Sequence, residues 1–385
     1  MQGFLSTSRI TEKVSKEAVL VLEDGSWVKG IGFGALKKIS GEVVFNTGMV
    51  GYTESITDPS YNGQILIQTY PLIGNYGVCP NHFESDGPKI EGYVIHELCK
   101  DPSHWSSKLT LDDWLEQSDV PGIEGIDTRM LTKKIRIKGT MLGTLLTYKK
   151  GDMPNIDELK EEAKHIPDPN KRNLAYEVAT VAIKKIDAGS DFNVALIDCG
   201  VKQSIINNII SRGFNVILVP PYTPFNKILD MEPSAVVLSN GPGNPKMCTD
   251  VIESTRQIIK EKVPVMGICL GCQTLALSLG ADTYKLKFGH RGQNHPCIDL
   301  DTNRCYITSQ NHGFAINAES AKKADLKITL VNANDSTIEG IAHQSLPFMA
   351  VQFHPEAGPG PNDSNFIFDN FFKKIGLNPR GVSHA

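Results

Sequence analysis

Hydrophobic residues in the first part of the chain fall in short runs that are typical of strands. The stretch AVLVLEDGSWVKGIGFG places apolar runs on both sides of Asp24-Gly25, a dipeptide that favours a hairpin turn. Further apolar or alternating runs follow at residues 42–52, 64–70, 91–98 and 140–147. The pattern therefore predicts a domain built mostly of strands.

Two segments within this region have the spacing of helices instead. They are residues 109–117 and residues 127–139. In the second segment Asp127 is a suitable N-cap and Gly139 a suitable stop. We therefore predict an α+β, mostly β domain over residues 18–147.

From residue 193 onward the pattern changes to strand, turn and helix in repeated order. The apolar run VALIDCG leads into VKQSIINNIISRG, and later AVVLSNGPG and VPVMGICLG are each followed by a helical segment. Apolar runs that alternate with amphipathic helices indicate a parallel sheet with helices on both faces. The fold class is thus α/β, with a doubly wound, mostly parallel domain predicted over residues 191–378. In such sheets the functional groups lie at the carboxyl ends of the strands.

The remaining segments are polar. Residues 148–190 are charged and interrupted by proline, and we interpret them as a connector with one helical stretch. Residues 1–17 are predicted to be a flexible start, and residues 379–385 a tail or the beginning of a linker.

Composition excludes several classes of partner. The 385 residues carry a net charge of −4 with no long basic run, which gives no electrostatic reason to expect nucleic acid or an anionic membrane. No apolar stretch approaches the ~18 residues of a spanning helix, and the N-terminus lacks the apolar core of a signal peptide. Eight scattered cysteines suit reduced thiols, so we predict a cytoplasmic protein.

One pair of cysteines, Cys269 and Cys272 in GICLGCQ, has CxxC spacing. It could be a redox pair, half of a metal site, or one nucleophile beside an inert neighbour. A structural zinc site needs a second pair of ligands, and Cys297 with Cys305 lacks the usual spacing, so no metal is expected.

The glycines around Cys269 favour the nucleophile. Gly267-Ile-Cys269-Leu-Gly271 has the glycine spacing of a nucleophile elbow, in which a strained strand-to-helix turn leaves no room for neighbouring side chains. A cysteine at a helix N-terminus is also stabilised as a thiolate. Cys272, one turn into the helix, is expected to pack without a chemical role.

A cysteine that attacks an acyl group needs a base, and the base needs an orienting acid. His354 follows the apolar run FMAVQF and precedes Pro355 and Glu356, so the carboxylate can reach one imidazole nitrogen while the other faces the cysteine. His312 in SQNHGF is the rival, but it has no carboxylate within two residues.

These motifs together identify a family. GICLGCQ, VQFHPE and LSNGPGNP strongly resemble the triad-type, class I glutamine amidotransferases. Several N-terminal and later motifs, including NTGMVGYTESITDPSY, YPLIGNYG and KFGHRGQNHP, resemble the small, glutaminase subunit of carbamoyl-phosphate synthase. The similarity covers nearly all of residues 18–376. Many members of this family have histidine at position 272, where this chain has cysteine.

The resemblance implies roles for individual residues. Cys269 would be the nucleophile, His354 the general base and acid, and Glu356 the residue that orients the histidine. The glutamine contacts that it implies are Ser60, Gly241, Gly243, Leu270, Gln273, Asn311, Gly313 and Phe314. The backbone N–H groups of Gly241 and Leu270 would flank the oxyanion of the thioester intermediate.

The resemblance also implies the reaction and the partner. The chain would hydrolyse L-glutamine and pass ammonia to a large synthetase subunit or fused domain, for pyrimidine or arginine biosynthesis. The sequence has no Walker A motif, so ATP and Mg would be used by that partner, and no cofactor is expected in this chain. Alternatives are a thiol-disulfide oxidoreductase, a non-catalytic interaction subunit, and a glutaminase of the anthranilate or guanylate pathway.

Overall fold

The computed structural model describes residues 14–343 and 345–377, and its first domain is a closed barrel of seven strands. The barrel order is β1-β2-β8-β6-β4-β3-β9, and β5 and β7 form a separate two-stranded sheet. The strands are β1 (Lys16–Leu22), β2 (Trp27–Gly34), β3 (Lys38–Asn46), β4 (Gln64–Gln68), β5 (Leu72–Ile73), β6 (Gly92–Val94), β7 (Glu97–Leu98), β8 (Pro121–Glu124) and β9 (Met141–Lys149). The helices are α1 (Tyr52–Thr57), α2 (Leu111–Gln117) and α3 (Thr128–Lys138).

Local sequence signals explain much of this domain. The β1–β2 hairpin turns at Gly25, whose φ of 79° suits glycine. Helix α3 is capped as predicted, since the Asp127 side chain accepts a hydrogen bond from the Met130 N–H and the helix ends at Gly139.

The strand predicted over residues 42–52 ends earlier, at Asn46. Beyond it the chain turns toward the second domain, where the Thr47 N–H donates to the Arg291 carbonyl at 3.2 Å. Gln293 in turn donates to the Val50 carbonyl at 2.6 Å. The alternation in the sequence continues past Asn46, but these contacts between domains take the place of strand pairing.

The second domain contains a ten-stranded sheet in the order β10-β12-β11-β13-β14-β19-β18-β17-β15-β16. Its strands are β10 (Lys184–Ile186), β11 (Asn193–Ile197), β12 (Asn215–Val219), β13 (Ala235–Leu238), β14 (Val265–Ile268), β15 (Thr283–Asp299), β16 (Cys305–Ile316), β17 (Lys327–Asn332), β18 (Ile338–Ala342) and β19 (Phe348–Val351). Its helices are α6 (Gln203–Ser211), α7 (Phe225–Leu229), α8 (Thr249–Lys260), α9 (Leu270–Ser278), α10 (Ala318–Lys323) and α11 (Phe366–Lys374). Strands β12, β11, β13, β14 and β19 are parallel, and two hydrophobic clusters pack helices against the sheet. The α/β class is confirmed, and antiparallel strands extend the parallel centre on both sides.

The predicted connector, residues 148–190, has more structure than its composition indicates. It contains α4 (Ile156–Lys164) and α5 (Leu174–Val178), and then β10, which pairs antiparallel with β12. Leu159 and Ala163 of α4 pack against Val19, Val21 and Tyr148 of the barrel. The segment is therefore held against both domains. The boundaries of the connector, residues 148 and 190, stay a prediction.

The ends of the chain lie largely outside the described residues. Of the predicted flexible start, residues 1–17, the structure describes 14–17, and β1 begins at Lys16. The predicted tail at 379–385 lies outside the described residues. Among the helices that the structure describes, none is long and apolar enough to cross a membrane.

The sheet register brings three sequence motifs to one edge. Leu238 of β13 lies opposite Gly267 of β14, and Ile268 lies opposite Val351 of β19. The carboxyl ends of these parallel strands therefore lie side by side, and the segments that follow them begin at the same edge.

Candidate active site

Cys269 occupies a strained turn between β14 and α9. Its φ of 54° and ψ of −106° lie outside the backbone conformations that residues other than glycine favour. A Cβ added to Gly267 would lie 2.5 Å from the Gly271 carbonyl oxygen, and one added to Gly271 would lie 2.1 Å from the Leu238 carbonyl oxygen. Only glycine fits at both positions, because the neighbouring backbone leaves no room for a side chain. This is the steric requirement of the predicted nucleophile elbow.

The second cysteine of the CxxC pair has a different environment. Cys272 is fully buried in a hydrophobic cluster on α9, and burial raises the pKa of its thiol well above the usual range. All eight cysteines lie within the described residues, and each is a free thiol. The geometry therefore favours a chemical role for Cys269 and a packing role for Cys272.

His354 and Glu356 follow β19 at the same edge of the sheet. The imidazole Nδ1 lies 2.6 Å from Glu356 Oε1, and the His354 N–H donates to the Ser309 carbonyl at 2.9 Å. The buried Nε2 of His354 has no hydrogen-bond partner of ordinary geometry among the described residues. The ring is thus fixed at one nitrogen and left available at the other.

Electrostatics at this pair favour a protonated imidazole beside a carboxylate. Burial alone would lower the pKa of His354, but the Glu356 carboxylate, with a smaller effect from the nearby Cys269 side chain, raises it to about 10. Burial alone would raise the pKa of Glu356, but Lys202 and His354 lower it to about 2.

A pocket beside Cys269 collects the residues that the resemblance implied for glutamine. Both domains contribute to its wall. Its lining includes Ser60, Gly241, Gly243, Cys269, Leu270, Gln273, Asn311, Gly313 and Phe314. His354 and Glu356 are not part of this lining, although Cys269 is near enough to His354 to affect its pKa.

Three of these side chains are already engaged by the protein. Ser60 Oγ accepts from Asn240 at 3.0 Å, and Asn311 donates to Asp58 Oδ2 at 2.8 Å. Gln273 donates to the Phe314 carbonyl at 2.9 Å. The amide nitrogens of Asn311 and Gln273 thus hold the pocket walls.

Comparisons with known proteins follow the same division of the chain. Residues 195–374 match the family model of class-I glutamine amidotransferases, and residues 20–145 match that of the CPSase domain of the carbamoyl-phosphate synthase small chain. The carbamoyl phosphate synthase small chain of Methanopyrus kandleri is 48% identical over 354 residues, which cover 92% of this chain and 98% of that protein. The chain belongs to the carbamoyl phosphate synthase small-chain family.

Other members show the same extent of similarity. The small chain of Methanocaldococcus jannaschii is 49% identical over 358 residues, covering 93% of this chain and 98% of that protein. The small chain of Aquifex aeolicus is 46% identical over 372 residues, again covering 93% and 98%. The expected enzyme class, the glutaminase component of glutamine-hydrolysing carbamoyl-phosphate synthase, is confirmed.

Lys202 is a residue of the site that no sequence motif indicated, and it is 2% exposed. Its Nζ lies 2.9 Å from Glu356 Oε1 and 2.5 Å from the Ala357 carbonyl oxygen. Burial would lower the pKa of Lys202, but Glu356, Glu84 and Asp58 raise it above its usual value. Its position just after β11 could have indicated a role in the site, because that strand ends at the same edge of the sheet as β14 and β19.

The rival histidine, His312, lines the same pocket as Cys269, but both of its ring nitrogens have partners within the protein. Its Nδ1 lies 2.8 Å from the Phe314 carbonyl oxygen and its Nε2 lies 3.2 Å from Gln310 Oε1. With His290 and Glu339 it forms a buried group whose donor atoms lie within 4.8 Å of one another, the one set among the described residues that could hold a metal ion. His290 lies between two carboxylates, 2.8 Å from Asp335 and 3.5 Å from Glu339, which also explains the group as an ionic network.

Proposed function

We propose that this chain hydrolyses L-glutamine to glutamate and ammonia through a thioester on Cys269. The observation that carries the proposal is the pocket in which Cys269 lies together with all eight residues expected to bind glutamine. The His354–Glu356 pair near Cys269 supports it, because a fixed imidazole with one available nitrogen can exchange a proton with the reacting groups.

In the first half of the reaction the Cys269 thiolate attacks the side-chain amide carbon, and the carbonyl electron pair moves to oxygen. Gly241 and Leu270 line the pocket, and their backbone N–H groups are the donors proposed for this oxyanion. The oxyanion then collapses and the carbon–nitrogen bond breaks. The His354 imidazolium gives its proton to the departing nitrogen, which leaves as ammonia.

In the second half a water molecule attacks the glutamyl thioester. Neutral His354 accepts a proton from the water, the carbon–sulfur bond breaks, and glutamate leaves with the thiolate restored. Glu356 stabilises the imidazolium in both halves, and Lys202 balances the charge of Glu356.

The ammonia would be delivered to a large synthetase subunit, or a fused synthetase domain, which makes carbamoyl phosphate from bicarbonate and ATP with Mg. The absence of a Walker A motif from the sequence supports this division of labour. We place the protein in the cytoplasm, consistent with eight free cysteines, and assign its product to pyrimidine or arginine biosynthesis.

The proposal is tested by rapid acid quench of the full chain with L-glutamine, followed by mass spectrometry. We expect a glutamyl adduct on the peptide that contains Cys269, and stoichiometric release of glutamate and ammonia. Purification of the native complex should also recover a synthetase chain. Glutamine hydrolysis that leaves Cys269 unmodified at every time point would overturn the thioester mechanism.

A further inference from the structure

His290, His312 and Glu339 form a buried cluster in the antiparallel part of the second domain's sheet. His290 and His312 lie opposite each other on β15 and β16, and Glu339 belongs to β18. One nitrogen of each histidine and one oxygen of Glu339 lie within 4.8 Å of one another. The three side chains are at most 7% exposed. Atoms of the types that bind metal ions are thus brought together away from bulk water.

Each histidine is held by the protein at one ring nitrogen. The Nε2 of His290 lies 2.8 Å from Asp335 Oδ2, and the Nδ1 of His312 lies 2.8 Å from the Phe314 carbonyl oxygen. Histidines that bind metals almost always have such a contact, because a carboxylate or a backbone carbonyl that accepts one N–H fixes the ring for the ion at the other nitrogen. That other nitrogen of His290, the buried Nδ1, has no hydrogen-bond partner of ordinary geometry among the described residues.

The other nitrogen of His312, Nε2, carries a lone pair. Burial lowers the pKa of His312 well below its usual value, so the ring is neutral and has a single N–H. When Nδ1 donates that N–H to Phe314, Nε2 faces a second acceptor, Gln310 Oε1, at 3.2 Å. Gln310 also contacts the Glu339 carboxylate, which links this nitrogen to the rest of the cluster. A cation at this point would relieve the repulsion between the lone pairs.

Glu339 supplies the negative charge of the cluster. Its Oε1 accepts from Asn332 at 3.2 Å, whereas its buried Oε2 has no hydrogen-bond partner among the described residues. Burial raises the pKa of Glu339, so its surroundings do not fully compensate the charge. A buried carboxylate is costly unless it is paired or coordinates a metal. A proton on His290 supplies part of the missing charge, and a divalent ion in its place would supply more.

The spacing and the types of these atoms suit a small transition metal ion. His290 Nδ1 lies 3.5 Å from Glu339 Oε1, close to the ~3.3 Å between two ligands that are each ~2.0 Å from a tetrahedral ion. Two imidazoles with one carboxylate suit zinc and similar metals, whereas magnesium and calcium prefer oxygen ligands. We propose that His290, His312 and Glu339 bind a divalent transition metal ion of the zinc class, with water as its fourth ligand.

This metal site has a route from solvent and a contact with the pocket beside Cys269. His290 and Asp335 line a cleft of about 880 Å³ whose walls come from both domains. His312 and Phe314 line the pocket. A bound ion would therefore fix the wall that β16 contributes to the pocket. It would take no part in the chemistry proposed for Cys269, so its test needs no glutamine hydrolysis.

The test uses Co²⁺ as a spectroscopic probe in the full chain, after dialysis against a chelator. All samples carry Cys269→Ser, because a reactive thiol would compete for the metal. We expect one Co²⁺ per chain, with the visible absorption of tetrahedral cobalt and no charge-transfer band of a cobalt–thiolate bond. Zn²⁺ should displace Co²⁺ and abolish the absorption, since zinc binds such sites more tightly. It should also raise the melting temperature, because it binds the folded chain.

Substitutions assign the ligands. Glu339→Gln removes the anionic ligand and His290→Gln removes an imidazole, and each should weaken Co²⁺ binding by about 100-fold or more. Asp335→Asn removes an outer partner and should weaken it by about 10-fold. His295→Gln is the matched control, because its ring lies 5.2 Å from that of His290 and lines the same cleft, but it is not one of the three ligands. It should leave Co²⁺ binding unchanged.

Melting curves without metal show which variants fold. If Glu339→Gln and His290→Gln do not, Asp335→Asn decides, because the Asp335 side chain is 42% exposed and its substitution disturbs the core little. Absence of the tetrahedral cobalt spectrum, a cobalt–thiolate band, or equal Co²⁺ affinity in the folded ligand variants and in His295→Gln would each overturn the metal site. The cluster would then be an ionic network, with a proton on His290 in place of the ion.

Discussion

The pocket has two walls, one from the second domain and one from the barrel. Each wall holds its residues in a different way. In the second domain Cys269 and His354 follow neighbouring parallel strands, and backbone geometry fixes them. On the barrel side, Asp58 and Ser60 are held by side-chain hydrogen bonds to Asn311 and Asn240, across the boundary between domains.

Under the proposed function, this difference separates the residues of the chemistry from those of glutamine binding. A backbone turn fixes a nucleophile to within tenths of an ångström, and it does so within one domain. Side-chain hydrogen bonds between domains depend on how the domains are packed, so they can respond to a partner that contacts either one. We therefore expect changes in the first wall to remove catalysis, and changes in the second wall mainly to weaken glutamine binding.

The largest effect is expected from Cys269, the proposed nucleophile. Cys269→Ser should lower the rate of glutamate release by roughly 10⁴-fold or more, as loss of a nucleophile does in related triads. Cys272→Ser, one helical turn away, should retain most activity and lose about 1–2 kcal/mol of stability, because it buries a hydroxyl in an apolar cluster. Equal loss of glutamate release in both variants would remove Cys269 from its proposed role.

Glu356→Gln should lower kcat by about 10²- to 10⁴-fold, because the imidazole loses the carboxylate that orients it and stabilises its charge.

The same variant tests the electrostatics of the His354–Glu356 pair through the pH dependence of stability. The pKa of His354 is raised to about 10, so its contribution to stability is present below pH ~6.5 and is lost as the pH rises through 10.

The depressed pKa of Glu356 acts in the opposite direction, so its contribution is present above pH ~4.5 and is lost as the pH falls toward 2. Chemical denaturation between pH 6 and 10 measures the first of these contributions. The free energy of unfolding should fall with pH in the unmodified chain and change less in Glu356→Gln. If the free energy of unfolding depends on pH in the same way in both proteins, the assignment of a cationic His354 beside an anionic Glu356 is contradicted.

Gly271→Ala tests whether the turn itself positions Cys269, the proposed nucleophile. The added Cβ would lie 2.1 Å from the Leu238 carbonyl oxygen, so β13 or α9 must shift. We expect activity to fall about 100-fold, as misplacement of a reacting group by about 1 Å does. Gly87→Ala is the control, since an added Cβ there meets nothing within 4 Å, and it should keep full activity.

The smallest effect is expected on the barrel wall. Asp58→Asn removes the charged acceptor of Asn311 and should raise the KM for glutamine about 10-fold, the value of one charge-assisted hydrogen bond, with kcat changed less than threefold. Asp127→Asn is the control, because Asp127 caps α3 through the same kind of hydrogen bond away from the pocket. A loss confined to kcat would place Asp58 in the chemistry instead.

Local features were predictable because nearby residues create them. Helix α3 has the predicted cap and stop, since Asp127 and Gly139 act on their own neighbours. Strand β3 was predicted too long, because past Asn46 the backbone leaves the barrel and the Thr47 N–H donates to the Arg291 carbonyl of the second domain. A polar composition likewise concealed β10, which is an edge strand and pairs on one side alone.

The sequence by itself determined the α/β class, the elbow around Cys269 and the link between His354 and Glu356, because each depends on residues a few positions apart. The tertiary structure alone decided that Lys202 pairs with Glu356 and that Asp58 holds Asn311. These contacts join segments that are up to 253 positions apart in the sequence. No local periodicity encodes such pairs, since they exist only when strand order and domain packing bring the segments together.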